Sequence, residues 1–451
     1  MRLLRTLMIA VLAALLPVTS ATAQSLLRDA ETEALFRDLA RPLATAAGLN
    51  PDSVRVGLIG DPSINAFATL GQQVYFHSGL IIAADNVNQV QGVLAHELGH
   101  VAAGHAVRDN EGSAPATNIS LLSLVLGAAL IAAGGADAGL GVIMAGQQAA
   151  MGSFLAFSRE QESRTDQAAV VYLAKTCTSG RGMIEFFKRL QGDEYRLAIK
   201  QDNAYNRTHP LSGERISVLQ NQFENSPCWN RPTDPVLEAR FQRVRAKLIG
   251  FVSAPEATLA AYPPGNGSEP ARYARAYAFH KQAFPDKAIA EVDSLLKDRP
   301  ADPYYLELKG QVLLESGRVA DSIAPLRAAV AASRGEPLIA AMLGHALVQT
   351  EDPANMKEAE TVLRTAINRD NANPFAWLQL GTIYDRLGDQ PRAALATAER
   401  INLSGGDPRG AVNAARTAMA GLPKGSPDWL RAQDILLVSE DAASKIKKRR
   451  R

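Results

Sequence analysis

Cysteine is scarce: Cys177 and Cys228 are the only two in 451 residues. That is too few for a disulfide-dense small scaffold or a cysteine-rich zinc module. Net charge is nearly absent, with 48 basic against 46 acidic residues, which argues against a nucleic-acid partner. Aromatic residues make up 6%, and with abundant alanine this favours helices over an all-β fold. No stretch reaches ~20 clean apolar residues, the length of a membrane-crossing helix. What remains is ordinary for a globular chain: 47% hydrophobic and 21% charged residues, enough to bury real cores. The length suits two or three domains.

The N-terminus reads as a cleavable signal peptide over residues 1–23. Arg2 and Arg5 form a basic start, Leu7 to Leu16 is an apolar run of ten residues ended by Pro17, and Ala21-Thr22-Ala23 is a small-x-small cleavage site. Ten residues cannot span a bilayer but suit the apolar region of a signal peptide. No cysteine follows the site, so lipid attachment is not expected. Cleavage leaves a chain of net charge 0, in which Lys445 to Arg451 hold six positive charges and the body over 24–444 carries −6. The tail, 441–451, reads as a basic, solvated and disordered end. Export implies an oxidising compartment, where Cys177 and Cys228 either pair or remain two buried thiols.

Between these ends the chain divides in two. Residues 24–232 mix strand-like and helix-like stretches, an α+β pattern. Val54 to Leu58 and Gln73 to Phe76 read as strands. A helix is expected from Asp85, which can cap it, with Val90, Val93, Leu94, Leu98 and Val101 at helical spacing. Residues 119–157 are apolar and small, interrupted at Gly134-Gly135-Ala136-Asp137, and read as two buried or surface-docking helices. Residues 233–440 read as helices only. Pro303, Pro337, Pro374 and Pro408 recur at 34, 37 and 34 residues, and Gly310, Gly344 and Gly381 each follow a proline by seven. A period of ~34 is that of tetratricopeptide repeats, which stack into an all-α solenoid with a concave binding surface. The long repeat is expected to carry its insertion in the turn near Glu351-Asp352-Pro353.

The chemistry lies at His96-Glu97-Leu98-Gly99-His100. On a helix, residues four apart project from one face, so both imidazoles can ligate one Zn2+. Glu97 is placed to take a proton from a water acidified by that ion. A third ligand is required. His105 falls about 140° from His100 on a continuing helix and is read as a supporting or structural residue. Glu162 and Asp166, again four apart, are the better pair: Glu162 as metal ligand, and Asp166 accepting a ring N–H that fixes the tautomer of a ligand histidine. His77, His280 and His345 have no ligand-spaced partner and read as ordinary residues.

Residues 65–215 resemble the peptidase family of HtpX and the CaaX prenyl proteases. The matching pieces are Asn65-Ala66-Phe67-Ala68, Gly79-Leu80, the His96 to His100 motif, Ser158-Arg159 with Glu162 and Asp166, and Thr208-His209-Pro210 with Arg215-Ile216. Thr165 stands where the family usually has alanine. The resemblance implies a zincin-type metallopeptidase domain with one zinc on His96, His100 and Glu162 and Glu97 as general base. The multi-span members are less similar than a soluble, exported branch. That branch implies a periplasmic endopeptidase acting on protein substrates, misfolded or unassembled outer-membrane proteins among them. The alternative is a chaperone or assembly factor that binds through its repeats while its peptidase is latent. His209 has two functional readings: a donor to the oxyanion of the tetrahedral intermediate, or a cap on the open zinc position. Substrate is expected to add along an exposed strand such as Gln73 to Phe76. Peripheral membrane contact stays open for residues 119–157 and for the tail.

Overall fold

The computed structural model of the chain describes residues 26–132, 136–196, 209 and 213–449. The signal peptide read at 1–23, the Gly134-Gly135 interruption, and Thr208 and Pro210 beside His209 lie outside the described residues. A four-stranded sheet holds β1 (Leu26–Leu27), β2 (Arg55–Ile59), β3 (Ala66–Thr69) and β4 (Gln73–His77) in the order β1-β2-β4-β3. β2 and β4 run parallel, with Leu58 opposite Phe76, while β1 and β3 are antiparallel to their neighbours. The strand at 73–77 is therefore interior, paired on both sides, and cannot accept a substrate strand. The edges are β1 and β3, and β3 is the edge beside β4.

Helix α1 (Ala30–Ala46) starts at Asp29, whose side chain accepts from the Thr32 N–H, and buries Leu35, Phe36, Leu39 and Leu43 in the core. The short α2 (Ser78–Ala83) leads to α3 (Val87–Ala103). Asn86, not Asp85, caps α3 by accepting from the Gln89 N–H. Asp85 instead meets Arg189 at 3.2 Å. Val90, Val93, Leu94 and Leu98 of α3 are fully buried, as their spacing predicts. Gly104 stops the helix in the left-handed region at φ 66°, a conformation glycine adopts without steric cost. Then come α4 (His105–Ala132), α5 (Ala136–Lys175), α6 (Arg181–Arg196), α7 (Gly213–Glu224), α8 (Pro235–Val252) and α9 (Pro255–Ala261). Phe241, Val244 and Leu248 of α8 join the same core as the sheet and α3, so packing runs on past residue 232. Cys177 and Cys228 form a disulfide with Cα atoms 5.2 Å apart.

The apolar helices at 119–157 are not buried. In α4, Leu121, Leu122, Val125 and Leu126 are exposed, and in α5, Leu140, Met144, Met151 and Phe154. The two helices pack on each other. Both are long and apolar enough to cross a membrane by length and composition, which the residue-by-residue reading did not credit.

From α10 (Glu269–Lys281) and α11 (Pro285–Asp298) the chain proceeds as helix pairs: α12 (Pro303–Glu315) with α13 (Val319–Ala332), α14 (Pro337–Gln349) with α15 (Pro353–Arg369), α16 (Pro374–Arg386) with α17 (Gln390–Ser404), then α18 (Pro408–Gly421) and α19 (Pro427–Arg449). The four recurring prolines each open the first helix of a pair, where a missing N–H costs nothing. A Cβ on Gly310 would lie 2.4 Å from Leu326 Cγ, and one on Gly344 2.5 Å from Leu363 Cγ, so these glycines set the approach within a pair. The extra residues of the long repeat lie in its second helix, not in the turn: α15 has 17 residues where α13 has 14. The tail is not an irregular end, because α19 continues through Arg449.

Candidate metal centre

Helices α3 and α5 cross beside the sheet, and glycine decides how closely. A Cβ on Gly99 would sit 2.8 Å from Thr165 Cγ2; its absence lets α5 lie against the histidine face of α3. The crossing brings Glu162 beneath His96 and His100. The side chains of His96, Glu97 and Glu162 are essentially inaccessible to solvent, and His209 is buried with them.

Four donor groups converge. His100 Nε2 is 3.2 Å from His96 Nε2. His209 Nδ1 is 3.4 Å from His96 Nε2 and 3.0 Å from Glu162 Oε1. Glu162 also lies 3.3 Å from Nε2 of each motif histidine. One atom from each of His96, His100, Glu162 and His209 falls within 4.8 Å of all the others. Four donors around a tetrahedral zinc at ~2.0–2.1 Å would stand about 3.3 Å apart, so the observed spacings fit such an ion. The surroundings fit as well. Asp166 Oδ1 lies 3.1 Å from His96 Nδ1, so a proton held on Nδ1 would leave Nε2 to face the cluster. His105 Nδ1 lies 2.8 Å from His100 Nδ1, on the ring nitrogen opposite the one that faces the cluster. The helix break at Gly104 turns His105 back toward His100, a position that a continuing helix would not give it. His105 thus stands against His100 without joining the cluster.

The electrostatics point the same way. Burial opposes charge on His96, yet hydrogen bonds with Asp166 and Glu162 outweigh it and push its pKa up to about 10. Burial holds His100 below its usual value. Glu162 lies well below the carboxylate range: burial would raise it, but His209, His100 and His96 lower it further. The pocket favours positive charge, which a divalent cation supplies. Arg215 completes it with two bonds to Asp166 at 2.8 and 2.9 Å and a contact of 3.1 Å to Glu162 Oε2. The sequence offered Arg215 only as part of a matching segment, without a role; its one signal was its place six residues after His209.

Glu97 stands outside the four-donor cluster, with Oε1 3.5 Å from His209 Nε2. The remaining histidines are elsewhere. His77 Nδ1 is 2.8 Å from Ser63 Oγ, His280 pairs with Glu315 at 2.8 Å, and His345 packs on Phe375.

Comparison with known proteins agrees with this geometry. Residues 27–222 match the model of Peptidase family M48, and residues 273–337 match a tetratricopeptide repeat. The beta-barrel assembly-enhancing protease of Yersinia pestis is 28% identical over 372 residues, covering 79% of this chain and 74% of the relative. The Escherichia coli (strain K12) protein of that name is 26% identical over 360 residues, covering 77% and 71%. Metalloprotease YcaL of Escherichia coli (strain K12) is 28% identical over 186 residues, covering 41% of this chain and 67% of the relative. This chain is therefore a metallopeptidase similar to Peptidase family M48 over residues 27–222, with a cluster able to hold a zinc ion, followed by helical repeats similar to tetratricopeptide repeats.

Proposed function

We propose that the protein is an exported endopeptidase of the periplasm that removes misfolded or unassembled outer-membrane proteins. The observation that carries the chemistry is the four-donor cluster with the buried Glu97 carboxylate beside it. Relatives named for β-barrel assembly support the substrate class. The leader sequence and the Cys177–Cys228 disulfide support an oxidising compartment outside the cytoplasm. Their being proteases does not favour the alternative of a binding protein with an idle active site.

In this reading His96, His100 and Glu162 hold the zinc, while Asp166 and His105 fix the two ring tautomers and Arg215 anchors Asp166. Bound zinc supplies Lewis acidity, polarising a scissile carbonyl and lowering the pKa of water to ~7. Glu97 takes the proton from the attacking water and delivers one to the leaving amine. An extended substrate adds to the edge strand β3, which packs against α3, by main-chain pairing. Between the two readings of His209, the geometry favours the cap: its Nδ1 stands among the donors, so the resting enzyme is latent. The repeats present the surface that captures protein.

The test is cleavage of unfolded casein and of an unfolded β-barrel protein by the mature chain and by Glu97→Gln. The variant should keep its zinc and lose activity by ~10²-fold or more. Equal cleavage by both would remove Glu97 from the mechanism.

A further inference from the structure

We infer that the α4–α5 hairpin inserts into a lipid bilayer. Between Pro115 and Phe157 the only charged residue is Asp137. The apolar span of α4, Ala114–Ile131, has 18 residues with 11% of it buried, and the corresponding span of α5 is 6% buried. Eighteen helical residues rise about 27 Å, close to the ~30 Å hydrocarbon core. Leu121, Leu122, Leu124, Val125 and Leu126 are all exposed, and at about 100° per residue they cover an arc of roughly 200°. A flat protein face, or a second copy of this chain, would cover one side and leave the other in water. Lipid surrounds a hairpin on every free side.

The polar groups agree. Helices that lie in the plane of a membrane carry a charged face, whereas between Pro115 and Phe157 the hairpin has Asp137 alone. Gln147 Nε2 donates to Ser120 Oγ at 2.7 Å between the two helices, so that amide is satisfied inside the hairpin. Asp137 lies at the end remote from the catalytic domain, where an inserted hairpin would meet the far headgroups. The sequence charges Arg108, Asp109 and Glu111 mark one base of the hairpin, and Arg159 and Glu160 the other. Both bases are on the side of the catalytic domain.

The placement also bears on the site. Helix α5 is continuous from its apolar half to Glu162, which stands five residues beyond Phe157, a rise of ~8 Å. An inserted hairpin therefore holds the metal cluster close to the membrane surface. Resting on the peptidase reading, this directs cleavage to chain segments emerging from or lying on a bilayer.

The experiment floats the mature Glu97→Gln chain with phosphatidylcholine–phosphatidylethanolamine vesicles at 0.5 M NaCl, and compares Leu122→Asp and Val125→Asp in the same background. Because the hairpin has almost no charge, flotation should survive high salt. Each aspartate should lower the floated fraction about tenfold or more, with zinc content and circular dichroism unchanged. Protein that stays at the bottom, or aspartate variants that float as well as their parent, would overturn the proposal. A dimer abolished by the aspartates, without flotation, would overturn it in favour of a second copy. Flotation needs no catalysis, so its failure is separate from that of the peptidase reading. With the active enzyme, a vesicle-anchored peptide should be cleaved faster than the same peptide free, and Leu122→Asp should erase only that advantage.

Discussion

Imidazole lone pairs repel one another, and three of them beside a carboxylate in a dry pocket are stable together only around positive charge. His96, His100 and His209 stand so around Glu162, and the groups behind them, Asp166, Arg215 and His105, are arranged to keep them there. Helical spacing made the pair His96–His100 legible in the sequence, and only with that motif in hand did the pair Glu162–Asp166 stand out from an ordinary charged helix face. The place of His209 was not, because it depends on packing between residues 113 positions apart in the chain. With its Nδ1 among the donors, His209→Ala should raise proteolysis, self-cleavage included, when rates of the purified variant and parent are compared. A fall of ~10²–10³-fold would return it to the oxyanion role.

Elements with a strong internal signal were the readable ones. The recurring prolines opened helices, and the buried apolar face of α3 followed its spacing. Elements whose place is set by pairing were not readable. β1 has two residues and β3 four, too few for an alternation to show. That β4 is interior follows from its two neighbours and from nothing in its own sequence. Apolar composition gave the helices at 119–157 but not their exposure, since buried and lipid-facing helices look alike along the chain. Proximity of Cys177 and Cys228 likewise emerged only in the fold. Their bond spans 51 residues, a closed loop whose chain entropy is about 4 kcal/mol. Replacing both by serine should lower unfolding stability by a few kcal/mol, read as a shift of the urea midpoint. An unchanged midpoint would show that the bond constrains nothing the core does not already hold.

Across the whole molecule, the repeats are bolted to the catalytic domain and do not trail from it. Arg243 of α8 pairs with Glu31 of α1 at 2.8 Å and Asp302 before α12 at 2.9 Å, and it lies over the Tyr305 ring. Tyr273 donates to Glu31 at 2.9 Å, Ala30 packs with Ala329 and Ile339, and Arg28 reaches Asp370 at 2.8 Å. Because Arg243 is buried, Arg243→Ala leaves the Glu31, Asp302 and Glu269 carboxylates without it and should cost about 3–5 kcal/mol in a denaturant titration. A loss under 1 kcal/mol would mean the domains hold without this junction. In the proposed function, such a junction would give substrate caught by the repeats a fixed relation to the cluster. The most direct measurement is zinc analysis with X-ray absorption at the zinc edge on the intact chain. The account predicts one zinc per chain, a shell of nitrogen and oxygen at ~2.0–2.1 Å, and three imidazoles, of which His209→Ala removes one; Glu162→Ala should lose the metal under mild chelation. Full zinc occupancy in Glu162→Ala, or an imidazole count unchanged by His209→Ala, would contradict it.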